Sequence, residues 1–263
     1  MHHQANILTI VTEHEIPSVL LATHRRAIVH APDPTFDRST SGDVFVFLDG
    51  ELYLDRVKAP AQIAAAIEQG RLPSATCIYL PNASAAARHV EYTCHEAFAA
   101  FLAQELPRWI AENIAPGQRL FLCGLSLSGL QAIFTASRSP ESYSGVLSQS
   151  PSAWWNDEWL ASSLARQESS PVRYRVSVGL QELQENVVHP PSGLVQKTSQ
   201  LASVRRLASR LQDTSHTTRF TEYEGGHDPV CWEKELVEAL AWLTADELAP
   251  ATSHEGRTGT TPA

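Results

Sequence analysis

Phe121-Leu122-Cys123-Gly124-Leu125-Ser126-Leu127-Ser128-Gly129-Leu130 (FLCGLSLSGL) joins an apolar run to an amphipathic one through a serine. Leu120 to Cys123 reads as a buried strand. Leu127 to Ser137 reads as a helix, stopped near Pro140. So abrupt a change of period needs a sharp turn at Ser126. Small residues flank that turn because the helix folds back closely on the strand it follows. A serine held this way is presented at the carboxyl edge of a sheet, where a nucleophile can be reached. The pattern departs from G-x-S-x-G at Ser128. An N-cap serine has much the same local signature, so this stretch alone leaves both readings open.

The rest of the chain repeats the alternation of strand and helix. Ser18 to Val29 reads as a strand, and APDPTFDRSTSG after it as a loop. Asp43 to Leu48 (DVFVFL) is a buried strand ending in Asp49-Gly50. Ala59 to Gln69 is a short helix and Thr76 to Leu80 a strand. Glu96 to Glu112 has apolar residues at helical spacing. Further strands are expected at Ser144 to Leu147, Tyr174 to Val178 and Arg219 to Tyr223. Helices are expected at Leu194 to Leu211 and Trp232 to Leu243. Near-continuous apolar strands separated by helices predict an α/β fold: a mostly parallel central sheet with helices on both faces and right-handed crossovers. A single domain over residues 1–246 follows, its first forty or so residues supplying the leading strands. Residues 247–263, small, polar and rich in Thr and Pro, read as a disordered tail.

Composition narrows the function. Lys+Arg number 20 against Asp+Glu 29, a formal charge of −9. No broad nucleic-acid or anionic-membrane surface is expected, since both need clustered positive charge. No apolar run is long enough to span a bilayer. The N-terminus MHHQANILTIVTEHE shows no basic segment and no cleavage site, so a cytoplasmic location is expected. Cys77, Cys94, Cys123 and Cys231 form no CxxC pair; no metal site is expected, and reduced thiols are.

A serine hydroxyl needs a histidine to take its proton and a carboxylate to orient that histidine. In the α/β-hydrolase fold these follow in the chain order Ser, acid, His. The histidine expected here is His227, in GGHDPVCW (Gly225 to Trp232), between the last strand and the last helix. A turn histidine is the plainer alternative, and ten other histidines are present. The acid should follow the strand Tyr174 to Val178, where Gly179-Leu180-Gln181-Glu182 lies. Glu182 is the first choice and Glu185 the rival; Asp228 is too near His227 in sequence. A solvated loop carboxylate is the alternative for Glu182.

Between Asp43 and Leu243 the chain resembles the enterochelin (enterobactin) esterases, within the esterase D-like branch of the α/β-hydrolases. The resemblance is carried by FLDGELY (Phe47 to Tyr53), RLP (Arg71 to Pro73), ARHVEYTCHEAF (Ala87 to Phe98), GLSLSGL (Gly124 to Leu130), VLSQSPSAWW (Val146 to Trp155), GLQE (Gly179 to Glu182) and GGHDPVCW. It implies Ser126 as nucleophile, His227 as base and Glu182 as acid. It implies an oxyanion hole from the backbone N–H groups of Leu127 and Glu51. Where the family elbow has glycine, this chain has Ser128. Arg88 and Glu91 match a family Arg-x-x-Glu, which implies that Arg88 contacts an anionic or catecholate substrate; an i,i+3 ion pair is the alternative. Trp154 and Trp155 either wall an aromatic pocket or pack a core under a loop.

These readings point to a serine esterase that forms an acyl-enzyme and needs no cofactor. Its expected partner is a small-molecule ester, above all a siderophore trilactone or its iron complex. A general carboxylesterase or acyltransferase is the alternative, and a non-catalytic ligand-binding relative a third class.

Overall fold

The computed structural model describes residues 9–33, 42–114, 116–164, 172–190, 192–214 and 217–245. Its strands are β1 (Thr9–Ser18), β2 (Thr23–Pro32), β3 (Asp43–Leu48), β4 (Ala75–Leu80), β5 (Leu120–Leu125), β6 (Gly145–Gln149), β7 (Arg173–Gly179), β8 (Val187–His189), β9 (Leu194–Gln196) and β10 (Thr217–Tyr223). Its helices are α1 (Gly50–Asp55), α2 (Ala59–Glu68), α3 (Ala85–Glu91), α4 (Glu96–Ala100), α5 (Leu106–Asn113), α6 (Ser126–Arg138), α7 (Trp155–Ser163), α8 (Gln200–Asp213) and α9 (Pro229–Thr244). The expected tail, residues 247–263, and most of the loop after Pro32 lie outside the described residues.

Eight strands form one sheet in the order β1-β2-β4-β3-β5-β6-β7-β10. β1, β2 and β4 pair antiparallel; every pairing from β4 to β10 is parallel. Helices cover both faces, the α/β-hydrolase architecture that the alternation predicts. β3 shows why the strands read as continuous apolar runs. Val44, Val46 and Leu48 enter one core, with α6 and α8, while Phe45 and Phe47 enter the other, with α2 and α9. From β3 the chain turns to β4 on one side; from β5 it turns to β6 on the other. The strand order therefore reverses between β3 and β5, and a crevice opens outside the carboxyl ends of these two strands.

Three local expectations are corrected. Ser18 to Val29 is not one strand. A tight turn over Val19–Ala22 splits it into the β1–β2 hairpin, with Ser18 paired to Thr23 and Ala22 in the left-handed region at φ 50°. Glu96 to Glu112 is interrupted by a π-helical turn at Phe101–Glu105. Pro107 has no N–H to donate, so the ladder widens there and Leu106 N–H bonds Phe101 O. The carbonyls left over are taken from outside the helix: Tyr143 Oη donates to Leu102 O at 2.6 Å and Ser142 Oγ to Ala103 O at 2.9 Å. Leu194 to Leu211 is not one helix either. Leu194–Gln196 pairs with Val187–His189, and the helix begins only after Ser199, whose hydroxyl accepts from Ala202 N–H. Finally, α7 has no counterpart in the sequence reading; Asn156, Asp157 and Glu158 all have positive φ at its start.

Candidate active site

Ser126 follows β5 directly and opens α6 with φ 54°, a left-handed conformation costly for a serine. The turn is held by its neighbours. Ser128 Oγ accepts from Leu125 N–H at 2.9 Å and donates to Leu125 O at 2.7 Å, so the residue that breaks the motif ties the elbow together. Gly124 cannot be replaced: a Cβ there would lie 2.3 Å from Ser128 O.

The histidine and the acid arrive on adjacent strands. β7 and β10 pair with Gly179 opposite Tyr223, and the loops beyond them stay joined, Leu180 N–H to Tyr223 O and Gln181 N–H to Gly225 O, both 2.9 Å. Gly179 is required at this closure, since a Cβ would meet Gly225 O at 2.4 Å. These two loops bring His227 and Glu182 to Ser126. His227 Nε2 lies 3.0 Å from Ser126 Oγ, and Nδ1 lies 2.7 Å from Glu182 Oε2. Glu185, the rival, is exposed. Asp228 caps α9 through Val230 N–H.

Glu182 divides its two oxygens. Oε2 takes His227. Oε1 accepts from Ser150 Oγ at 2.7 Å, Gly179 N–H at 2.8 Å and Tyr223 Oη at 3.1 Å. Trp232 Nε1 donates toward Tyr223 Oη and Ser150 Oγ at 3.1 and 3.3 Å, and its ring stands edge-on to His227, centroids 4.9 Å apart. Burial pushes the Glu182 carboxyl up, but the bonds and charge of His227, with the donors on Oε1, outweigh it and hold it below its ordinary range. Sequence reasoning missed Ser150, Tyr223 and Trp232, although Ser150 and Trp232 fall in the segments VLSQSPSAWW and GGHDPVCW. It also missed Ser152, whose Oγ lies 3.3 Å from Ser126 Oγ and whose N–H bonds Ser126 O.

The serine opens onto a cleft of about 350 Å³. Trp154 lines it, stacked flat on His189 of the β8–β9 hairpin (4.9 Å, 6°). Trp155 does not; it packs edge-on against Trp159. Glu51 and Leu127 sit in the first turns of α1 and α6, where backbone N–H groups have no partner within the helix. Arg88 does not form the alternative i,i+3 pair with Glu91. It is not among the side chains lining this cleft, and its guanidinium forks onto Asp49, at 2.6 and 2.7 Å, while Glu91 pairs with Arg25. Among the described residues no group of His, Cys, Asp and Glu is arranged to hold a metal ion, and no helix is long and apolar enough to cross a membrane.

The family model described as "Putative esterase" matches residues 18–243. The chain belongs to this esterase family. Among its curated relatives, the iron(III) enterobactin esterase of Dickeya dadantii is 26% identical over 228 residues, covering 83% of this chain and 52% of that protein. The iron(III) salmochelin esterase of Escherichia coli is 26% identical over 244 residues, covering 86% and 56%. This chain spans about half the length of the curated relatives it matches. Among solved structures, the enterobactin esterase of Shigella flexneri, crystallised in the presence of enterobactin, superposes with a TM-score of 0.73 at 24% identity over 89% of this chain and 59% of that one. The siderophore hydrolase EstA of Aspergillus nidulans gives 0.64 at 16% identity, over 89% and 95%. At these identities the structural likeness speaks for the fold alone.

Proposed function

We propose that this chain hydrolyses carboxylic esters through an acyl-enzyme on Ser126, with siderophore esters of the enterobactin trilactone type as its substrates. The observation that carries this reading is the unbroken relay from Ser126 Oγ to His227 to the buried Glu182, at 3.0 and 2.7 Å. His227 Nε2 takes the serine proton as Oγ attacks the ester carbonyl. Glu182 keeps the other ring proton on Nδ1 and stabilises the imidazolium that forms. The oxyanion meets the N–H groups of Leu127 and Glu51. His227 then passes its proton to the departing alcohol, and water attacks the acyl-enzyme by the same route in reverse.

The names of the curated relatives support the siderophore class. The flat Trp154–His189 wall beside the serine suits an aromatic acyl group. The four free thiols fit a reducing, cytoplasmic setting. A fluorophosphonate probe should label wild-type protein and leave Ser126→Ala unlabelled. Enterobactin and a panel of p-nitrophenyl esters should be cleaved by the first and not the second. Labelling of Ser126→Ala would move the nucleophile elsewhere, and cleavage of the simple esters without enterobactin would favour a general carboxylesterase.

A further inference from the structure

The loop after β3 is held from four sides at Asp49-Gly50-Glu51. Asp49 is left-handed at φ 52°, and its side chain is fully buried. Its N–H donates to Tyr92 Oη at 3.0 Å, and its C=O accepts from Leu52 and Tyr53 N–H. Its carboxylate takes the Arg88 fork and Asn82 Nδ2 at 2.6 Å. Asn82 also reaches the Glu51 carboxylate, through Nδ2 at 2.6 Å and N–H at 3.2 Å. Gly50 is pressed against the end of β4, where a Cβ would sit 2.7 Å from Leu80 N. A strained non-glycine residue persists only where its surroundings over-determine it. Here they do, and the residue they fix stands one peptide away from Gly50 and two from Glu51, whose N–H the proposed reaction assigns to the oxyanion.

We infer that Arg88 is a positioning residue for the oxyanion hole: by forking onto Asp49 it sets the left-handed turn that aims the Glu51 N–H, and it neutralises a buried carboxylate beside the place where negative charge develops. This rests on the esterase reading. It also assigns Arg88 a role in the chemistry common to every ester, in place of recognition of an anionic one. A planar fork is what the site uses, so lysine cannot fully replace it: an ammonium supplies the charge as a point and loses the two parallel bonds.

The test compares kcat and KM of wild type, Arg88→Ala, Arg88→Lys and Glu91→Gln on p-nitrophenyl acetate and on metal-free enterobactin, with the rate of fluorophosphonate labelling. Glu91→Gln is the control, because it disturbs the ion pair on the same helix without touching Asp49. Arg88→Ala should lower kcat about 10- to 100-fold on both esters, part of what deleting an oxyanion donor costs, and slow labelling to match, with KM nearly unchanged. Arg88→Lys, the safer variant for folding, should show a smaller loss of the same kind, and Glu91→Gln should keep kcat. A rise in KM for enterobactin alone with kcat retained would make Arg88 a substrate-binding residue and overturn the inference. So would an unchanged kcat in Arg88→Ala, or an equal loss in Glu91→Gln. Wild type that cleaves neither ester and resists labelling would bring down the esterase reading and this inference with it, whereas the other adverse results leave the esterase reading standing.

Discussion

Replacing Glu182 by glutamine tests the site at the point where sequence left a choice. The amide fills the same space, so Oε1 can still accept from Gly179 N–H and Ser150 Oγ, at 2.8 and 2.7 Å. The other end of the side chain turns from an acceptor into a donor, and it faces His227 Nδ1 across 2.7 Å. To accept from that amide, the imidazole must give up the proton on Nδ1. Nε2 then carries the proton and cannot take one from Ser126 Oγ. A carboxylate-to-amide change in this role lowers kcat by roughly 10³- to 10⁴-fold, a barrier increase of about 4 to 5.5 kcal/mol. Stability should change far less, by about 1 kcal/mol, because one charge-assisted bond becomes an ordinary one and a buried charge is removed. The assay is kcat on p-nitrophenyl acetate beside thermal unfolding, with exposed Glu185→Gln as the comparison. A Glu182→Gln enzyme turning over at the wild-type rate would refute the relay. Loss of activity in Glu185→Gln instead would move the acid three residues along the loop.

Ser128→Ala removes the two hydrogen bonds that its hydroxyl makes to the buried Leu125 peptide, which should cost about 1 to 3 kcal/mol, measured by urea unfolding, and an unchanged midpoint would dismiss the latch across the elbow. Glu182 should also make stability pH-dependent. Its pKa is depressed in the folded protein, so its contribution is fully present above its unfolded value of about 4.3 and is lost as pH falls through the lower, folded one. Acid unfolding of wild type should therefore fall off more steeply than that of Glu182→Gln below about pH 4, and superimposable curves would contradict the depressed pKa.

What could be read in the sequence was what short-range pattern encodes. β3 and β5 are buried on both faces, so beyond Asp43 they read as unbroken apolar runs and are visible. The candidate nucleophile, acid and base follow from chain order once those strands are placed. The supporting residues were not visible, because Ser150 just after β6, Tyr223 at the end of β10 and Trp232 in α9 are far apart in the chain and meet only when the sheet and α9 assemble. The β8–β9 hairpin has three residues a strand, too few to show a period. The alternative weighed for Arg88, an i,i+3 pair with Glu91, does not form, for a related reason. A spacing of three suggested Glu91 as its partner, while the actual partner, Asp49, stands 39 residues away on a neighbouring loop.

The site divides into two halves that hold together in different ways. β3 and β5 are neighbours with Phe47 opposite Cys123, and each ends in a left-handed residue followed at once by a helix: Asp49 before α1, Ser126 at the start of α6. Two left-handed turns thus stand at the carboxyl ends of neighbouring strands, each opening a helix whose first N–H groups have no partner within it, and the proposed mechanism assigns the oxyanion to these N–H groups. Both turns stand at the strand-order reversal in the middle of the sheet. The half proposed for proton transfer, Glu182 and His227, lies on loops beyond β7 and β10 and is held by hydrogen bonds to Glu182 Oε1 from Ser150, Tyr223 and the Gly179 N–H. Changes at Gly50, Gly124 or Asp49 should therefore disturb folding and catalysis together, since those positions close the backbone of the core. Changes at Ser150 or Tyr223 should disturb catalysis first, because they act on the orientation of one carboxylate, which the packing of β6 and β10 does not itself determine.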